Sequence, residues 1–351
     1  MRLTRRHLLA LGGLAASALF FPQCRAVLRQ FLFSPEGEVV PPHPLPAAAG
    51  RGKRRVAVVR ADDVGAAVRE AVALVDGLAA LDCRGRQVLV KPNVVYGKPP
   101  PATTDPRVVA ALLALLKEAR ASRLSVGDMS AVVSLPTRPN LEATGIAAVA
   151  AAAGADLLPL EEGEWVEVRP PQARHATAFH VARAVYEAER LVSVPVLKAH
   201  RSASYSLTLK NTVGVVHARN KPWAYGGTAW EEVVAELNLA VHPRLYVADA
   251  LQVMASGGPW SGEVMRPGCI LAGTDPVALD VVGLAILKHY GKADHVVGKG
   301  VWEQAQIRRA IELGLGARSG EEVEVVARDL SGGDPAFALL LDRIRAEVGA
   351  A

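Results

Sequence analysis

Leu191-Val192-Ser193-Val194-Pro195-Val196-Leu197-Lys198-Ala199-His200 is an apolar run that ends on a cation and an imidazole. A short run this rich in valine and leucine reads as a strand buried on both faces. Such strands belong to sheets that helices cover on both sides. Side chains alternate along a strand, so Lys198 and His200 share a face at its carboxyl end. The pattern repeats upstream. Residues 56–59 and 87–90 are strand runs, the second ending in Lys91-Pro92-Asn93, and 64–80 carry apolar residues at helical spacing. Asp105-Pro106 opens a helix to about Arg120, with Asp as N-cap and Pro in the first turn. Residues 124–126 form a strand ending at Gly127-Asp128, and 138–153 form a helix.

Residues 165–168 alternate like a strand, and 181–186 suggest another. Beyond His200, residues 206–216 and 229–241 read as helices. Residues 245–248 form a strand ending at Asp249, and 270–272 a strand ending at Thr274-Asp275-Pro276, which opens a helix to Tyr290. A helix over 302–313 and a last strand over 322–327 follow. Strand–helix alternation at roughly 30–35 residues per unit predicts an α/β fold. The sheet is mostly parallel or mixed and flanked by helices. The α/β domain spans 51–330, a subdomain is inserted over 155–245, and 331–351 form a C-terminal helix.

The 351 residues are half apolar and 21% charged, enough to bury a sizeable core. No apolar run reaches the ~18–20 residues of a spanning helix, which excludes a polytopic membrane protein. Cys24, Cys83 and Cys269 show no CxxC or CxxxC spacing, so no iron–sulfur cluster is expected on this chain. Residues 1–60 hold ten Lys/Arg against two Glu, while 61–351 hold thirty against thirty-three Asp/Glu. The basic surplus is therefore N-terminal, and no nucleic-acid partner is expected of the body.

The first residues, MRLTRRHLLALGGLAASALFF, place Arg2, Arg5 and Arg6 before an uncharged apolar run. That is the layout of an export signal, and Arg5-Arg6 resembles the twin-arginine consensus. Residues 1–33 are read as a twin-arginine-like signal or anchor and 34–50 as a linker. The implied partner is the twin-arginine translocase. The implied location is periplasmic, or anchored at the outer face of the cytoplasmic membrane.

Polar residues recur just after strand runs, where open α/β sheets bind ligands. The chain has thirty Arg but only ten Lys. Lys91, Lys198 and Lys210 all sit in apolar or Asn-containing segments, which suggests a specific need for an ammonium. A compact point charge suits phosphate or carboxylate, and a buried amine can be tuned as base or nucleophile. Lys198 beside His200 keeps the imidazole neutral, fit to move a proton. Lys198 and His200 are therefore the catalytic candidates, and Lys91, Asn93, Lys210 and Asn211 the ligand-binding ones. Asp128 and Asp249 are candidates for a divalent metal or for orienting the histidine. Asp105 and Asp275, each before a proline, read as helix caps. Gly257-Gly258-Pro259 makes a flexible loop after the Asp249 strand, a lid, a ligand-approach loop or a turn. No GxGxxG, Walker A, GxSxG or HExxH occurs.

The runs VLVKPNVV, ATTDP, VPVLKAH, LTLKNTVGVV, VADA with GGP, and AGTDPVALD resemble the bacterial and archaeal domain-of-unknown-function family 362 from about Val56 to Tyr290. The resemblance implies a fold and site positions, here Lys91, Asn93, Asp128, Lys198, His200, Lys210, Asn211, Asp249 and Asp280, and no settled reaction. Some similar proteins add a ferredoxin-type module, whose cysteines this chain lacks. The first functional expectation is an exported enzyme on an anionic small molecule, metal-assisted. The alternative is a binding or accessory protein of an exported redox system, with the iron–sulfur protein on a separate chain. A nickel- or organic-cofactor enzyme is a third.

Overall fold

The computed structural model describes residues 37–45, 52–226 and 229–350, with Val27, Gln30 and Pro35 from the stretch before them. The stretch read as an export signal or anchor, Val27 and Gln30 apart, lies outside the described residues. The strands are β1 (Gly37–Val40), β2 (Arg54–Arg60), β3 (Gln87–Pro92), β4 (Arg123–Asp128), β5 (Asp156–Pro159), β6 (Trp165–Val168) and β7 (Phe179–Ala182). They continue with β8 (Arg190–Val194), β9 (Val196–His200), β10 (Ser204–Ser206), β11 (Leu245–Met254), β12 (Val264–Met265), β13 (Cys269–Gly273) and β14 (Val323–Asp329).

A mixed α/β architecture results. The main sheet runs β14-β2-β13-β11-β8-β3-β4-β5, with β9, β10 and β12 extending one end of β11. From β11 through β8, β3 and β4 to β5 every pairing is parallel, whereas β13 is antiparallel to both its neighbours. Alternate side chains feed opposite layers. Val56 and Val58 of β2 join one apolar cluster, and Ala57 and Val59 join the other. Helices cover both faces, so the strands read as continuous apolar runs. No helix among the described residues is long and apolar enough to cross a membrane.

Several elements differ from expectation for local reasons. The run from Leu191 to His200 is two strands, because Pro195 has no N–H to continue a ladder. β8 lies between β3 and β11, whereas β9 pairs with β11 and β10. The helix expected over 64–80 breaks into Val64–Leu74 and Gly77–Leu81 at left-handed Asp76. That over 138–153 breaks into Thr137–Ala143 and Ile146–Ala153 at Gly145, whose φ is +78°. Residues 206–216 give only the helix Thr208–Asn211 and a 3-10 turn, Thr212–Val215. The strand suggested over 181–186 ends at Ala182 and is followed by one helical turn, Arg183–Tyr186. Asp105 and Asp275 cap the helices Pro106–Glu118 and Pro276–Tyr290, as the Asp-Pro pairs imply.

A second, small sheet has the order β1-β6-β7. Its β1 falls within the stretch read as a linker and pairs parallel with β6. From 155–245, β6 and β7 belong to this small sheet, while β5, β8 and β9 belong to the main one.

Candidate functional site

At the carboxyl ends of the parallel strands, Lys91 on β3 lies beside Ser193 on β8. Asn211 crosses that face and holds both. Its amide donates to Ser193 Oγ at 2.9 Å and to the Lys91 carbonyl at 3.3 Å, and its Oδ1 accepts from Lys91 Nζ at 3.1 Å. Lys91 Nζ also donates to the Pro92 carbonyl at 2.9 Å and forms an ion pair with Asp128 Oδ1 at 2.7 Å. The second oxygen of Asp128 accepts from the Val94 N–H at 2.7 Å. Lys198, on β9, donates to Asn93 Oδ1 at 2.9 Å and to the Ala102 carbonyl at 2.7 Å. Asn93 Nδ2 reaches Asn211 Oδ1 at 3.4 Å, so Lys198, Asn93, Asn211 and Lys91 form one connected network.

Two buried features position these groups. Asp280, within the helix Pro276–Tyr290, is fully buried. It accepts from the N–H groups of Thr208 (2.8 Å) and Leu209 (3.3 Å) and from the hydroxyls of Thr208 and Tyr205. It thus caps, from a distance, the four-residue helix that carries Lys210 and Asn211. Gly214 then passes against the ion pair. A Cβ there would lie 2.2 Å from Asp128 Oδ1 and 2.7 Å from Lys91 Nζ, so only hydrogen fits.

The Gly257-Gly258-Pro259 loop covers the end of β9. At Gly258, with φ +66°, a Cβ would stand 1.9 Å from the Ala199 carbonyl oxygen. Tyr96 donates to the Trp260 carbonyl at 2.6 Å, joining this loop to the segment after Asn93.

The electrostatics of the site are dominated by buried cations. Lys91, Lys198 and Lys221 are 2%, 1% and 4% exposed, and Lys210 is partly exposed. Among the described residues, only Lys91 of these four has an ion-pair partner. Burial, reinforced by Lys210, pushes Lys198 down to about 7 even though Asp128 opposes the shift. Burial and Lys91 push Lys210 down to about 8. Burial is also the main cause that brings Lys221 to about 7. Lys91 is lowered by burial despite its carboxylate. His200 is held neutral, far below its ordinary value, by burial and then by Lys210 and Lys198. Its Nδ1 accepts from the Ser202 N–H at 3.2 Å, which places the proton on Nε2.

Asp249 does not join Asp128. Three strand spacings of roughly 4.8 Å separate β4 from β11, farther than two carboxylates reach around one ion. Asp249 instead accepts from the backbone N–H of Asp105 (2.8 Å) and Leu251 (3.0 Å), tying a helix start to its own strand. Burial outweighs those bonds and lifts it to about 7. Among the described residues, no group of three His, Cys, Asp or Glu could hold a metal ion.

Lys221 joins the cluster without any motif in the sequence to mark it. It follows a 3-10 turn, Ala218–Asn220, has no periodic context, and donates to the Val213 carbonyl. Its only signal was rarity: it is one of ten lysines in an arginine-rich chain. A cavity of about 600 Å³ lies at the opposite end of the sheet, lined by Leu191, His242, Tyr246 and Asp275 among others. Its Arg54–Asp275 pair is already closed at 3.0 Å, and none of the four clustered lysines lines it.

A thylakoid-associated protein of Synechocystis sp. is 27% identical over 214 residues, which cover 58% of this chain and 64% of that protein's length. The structure of the lactate racemase apoprotein from Thermoanaerobacterium thermosaccharolyticum aligns over 88% of this chain and 90% of its own, with 10% identity. Its TM-score of 0.41 is too low to support any statement about this chain. A family model described as Domain of unknown function (DUF362) matches residues 88–285, more than half of the chain and every clustered lysine. The chain belongs to the DUF362 family of domains of unknown function.

Proposed function

We propose that this protein binds an anionic small molecule at the carboxyl-end lysine cluster and acts on it, with His200 moving a proton. One observation carries the reading: four clustered lysines, three of them almost wholly buried, have a single ion pair among the described residues. Buried cations without counter-charge are costly, and the amines respond by shifting towards neutrality. An anion entering the cluster reverses that shift and gains charge-assisted hydrogen bonds. Phosphate, sulfate and carboxylate groups all have the required charge and acceptors. His200, neutral with its proton on Nε2, is suited to donate a hydrogen bond to an oxygen of the bound molecule. Asn93 and Asn211 hold the lysine network in place.

The Arg5-Arg6 signal supports action outside the cytoplasmic membrane, after delivery by the twin-arginine translocase. Thermal denaturation with a panel of phosphates, sulfate and carboxylates tests the anion site. A ligand at a hundred times its dissociation constant adds about 2.7 kcal/mol. Lys198→Ala should abolish the shift and remain folded. A panel with no effect on the wild type would remove the support for this reading.

A further inference from the structure

Lys210 differs from its three neighbours. Lys91 is held by Asp128, Asn211 and the Pro92 carbonyl, Lys198 by Asn93 and the Ala102 carbonyl, and Lys221 by the Val213 carbonyl. The Lys210 ammonium alone of the four has no hydrogen-bond or ion-pair partner among the described residues, and the residue keeps part of its surface exposed. An ammonium brings three donors that need acceptors, whereas a neutral amine brings a lone pair. The helix presenting it is fixed by a buried carboxylate, Asp280. Lys210 is also near enough to Lys198 and His200 to disfavour protonation of both. A desolvated amine beside other cations is the usual environment of a nucleophilic lysine.

We propose that Lys210 condenses with the carbonyl carbon of an anionic aldehyde or ketone, the class of the 2-oxo acids. This rests on the anion-site reading: Lys91, Lys198 and Lys221 hold the carboxylate while Lys210 meets the carbonyl. The Nζ lone pair attacks the carbonyl carbon and a C–N bond forms. The carbonyl oxygen takes a proton from solvent while His200 Nε2 donates a hydrogen bond to it, and the attacking nitrogen loses one proton to solvent. Loss of that oxygen as water, with a second proton from solvent, leaves a protonated C=N bond, which gives its remaining N–H proton back to solvent. The balance is amine plus carbonyl giving imine plus water, with no oxidant or reductant. The position of Lys210, pushed down to about 8 by burial and Lys91, leaves a useful fraction of free amine near neutral pH.

The test uses the full chain with glyoxylate or pyruvate and cyanoborohydride, followed by peptide mass mapping. Glycolate, which has a carboxylate and no carbonyl, is the comparison in thermal denaturation. The expected result is a reduced adduct on Lys210 well ahead of exposed Lys53, Lys98 and Lys117. It should be lost in Lys210→Arg, and glycolate should raise the melting temperature. If glycolate shifts melting but neither carbonyl acid labels Lys210 ahead of the exposed lysines, the imine is refuted and the anion site stands. If neither labelling nor any shift occurs, both fall. Mapping in the wild type decides the matter even where Lys210→Arg folds poorly.

Discussion

Gly214→Ala is the sharpest perturbation the site offers, because it adds one methyl group and no charge. Gly214 has no left-handed backbone that would forbid alanine. The cost arises from contact: the new Cβ would sit 2.2 Å from Asp128 Oδ1, 2.7 Å from Lys91 Nζ and 3.0 Å from Lys91 Cε. None of these groups is free to retreat. Asp128 is pinned by the Val94 N–H, Lys91 by Asn211 and the Pro92 carbonyl, and Gly214 itself by a bond from the Met129 N–H to its carbonyl at 3.1 Å. Overpacking alone costs about 1–3 kcal/mol. Separating the buried pair raises this towards about 3–5 kcal/mol, since each charge is left uncompensated. Urea denaturation of wild type and variant measures the difference as a lower midpoint at unchanged slope. A loss within about 0.5 kcal/mol, the range of an ordinary surface substitution, would show that the pair is not packed as described.

Two further outcomes follow from the charges and from the N-terminus. In the folded protein Lys198, Lys210 and Lys221 lie at about 7, 8 and 7, whereas in the unfolded chain they lie near 10.4. From pH 7 to about 8.5 the unfolded state therefore binds more protons, and stability should rise with pH until the buried thiols begin to oppose it. Melting curves across that window check the sign, and a flat or falling stability would contradict it. Changing Arg5 and Arg6 to lysine should trap the protein in the cytoplasm. Equal accumulation of both forms in the periplasmic or membrane fraction would exclude the twin-arginine route.

Much of the architecture could be read from strand runs and their ends. Apolar runs closing on Lys91, Asp128 and Lys198 announced buried parallel strands, and Asp-Pro pairs announced Asp105 and Asp275 as caps. What escaped depended on long-range contact or on single-residue breaks. Pro195 splits a run whose composition is uniform. Asp76 and Gly145 interrupt helices whose apolar spacing continues through them. A strand-end aspartate is equally a ligand or a cap, and only the N–H groups of Asp105 and Leu251 reveal Asp249 as the latter. Lys221 lies in an irregular turn that joins the cluster only when the chain folds. Asp280, some seventy residues beyond Lys210, entered through family resemblance alone, and its role as the anchor of a short helix is a tertiary fact.

On the proposed function, the lysine cluster accepts an anion and takes up protons in doing so. Calorimetric titration of sulfate at pH 8, in two buffers of different ionisation heat, tests it directly, because sulfate itself carries no proton there. The expected result is binding with net proton uptake by the protein, and loss of both when Lys198 and Lys221 are replaced by methionine in a chain that still folds. Sulfate binding with no proton uptake, or binding that survives those replacements unchanged, would contradict it.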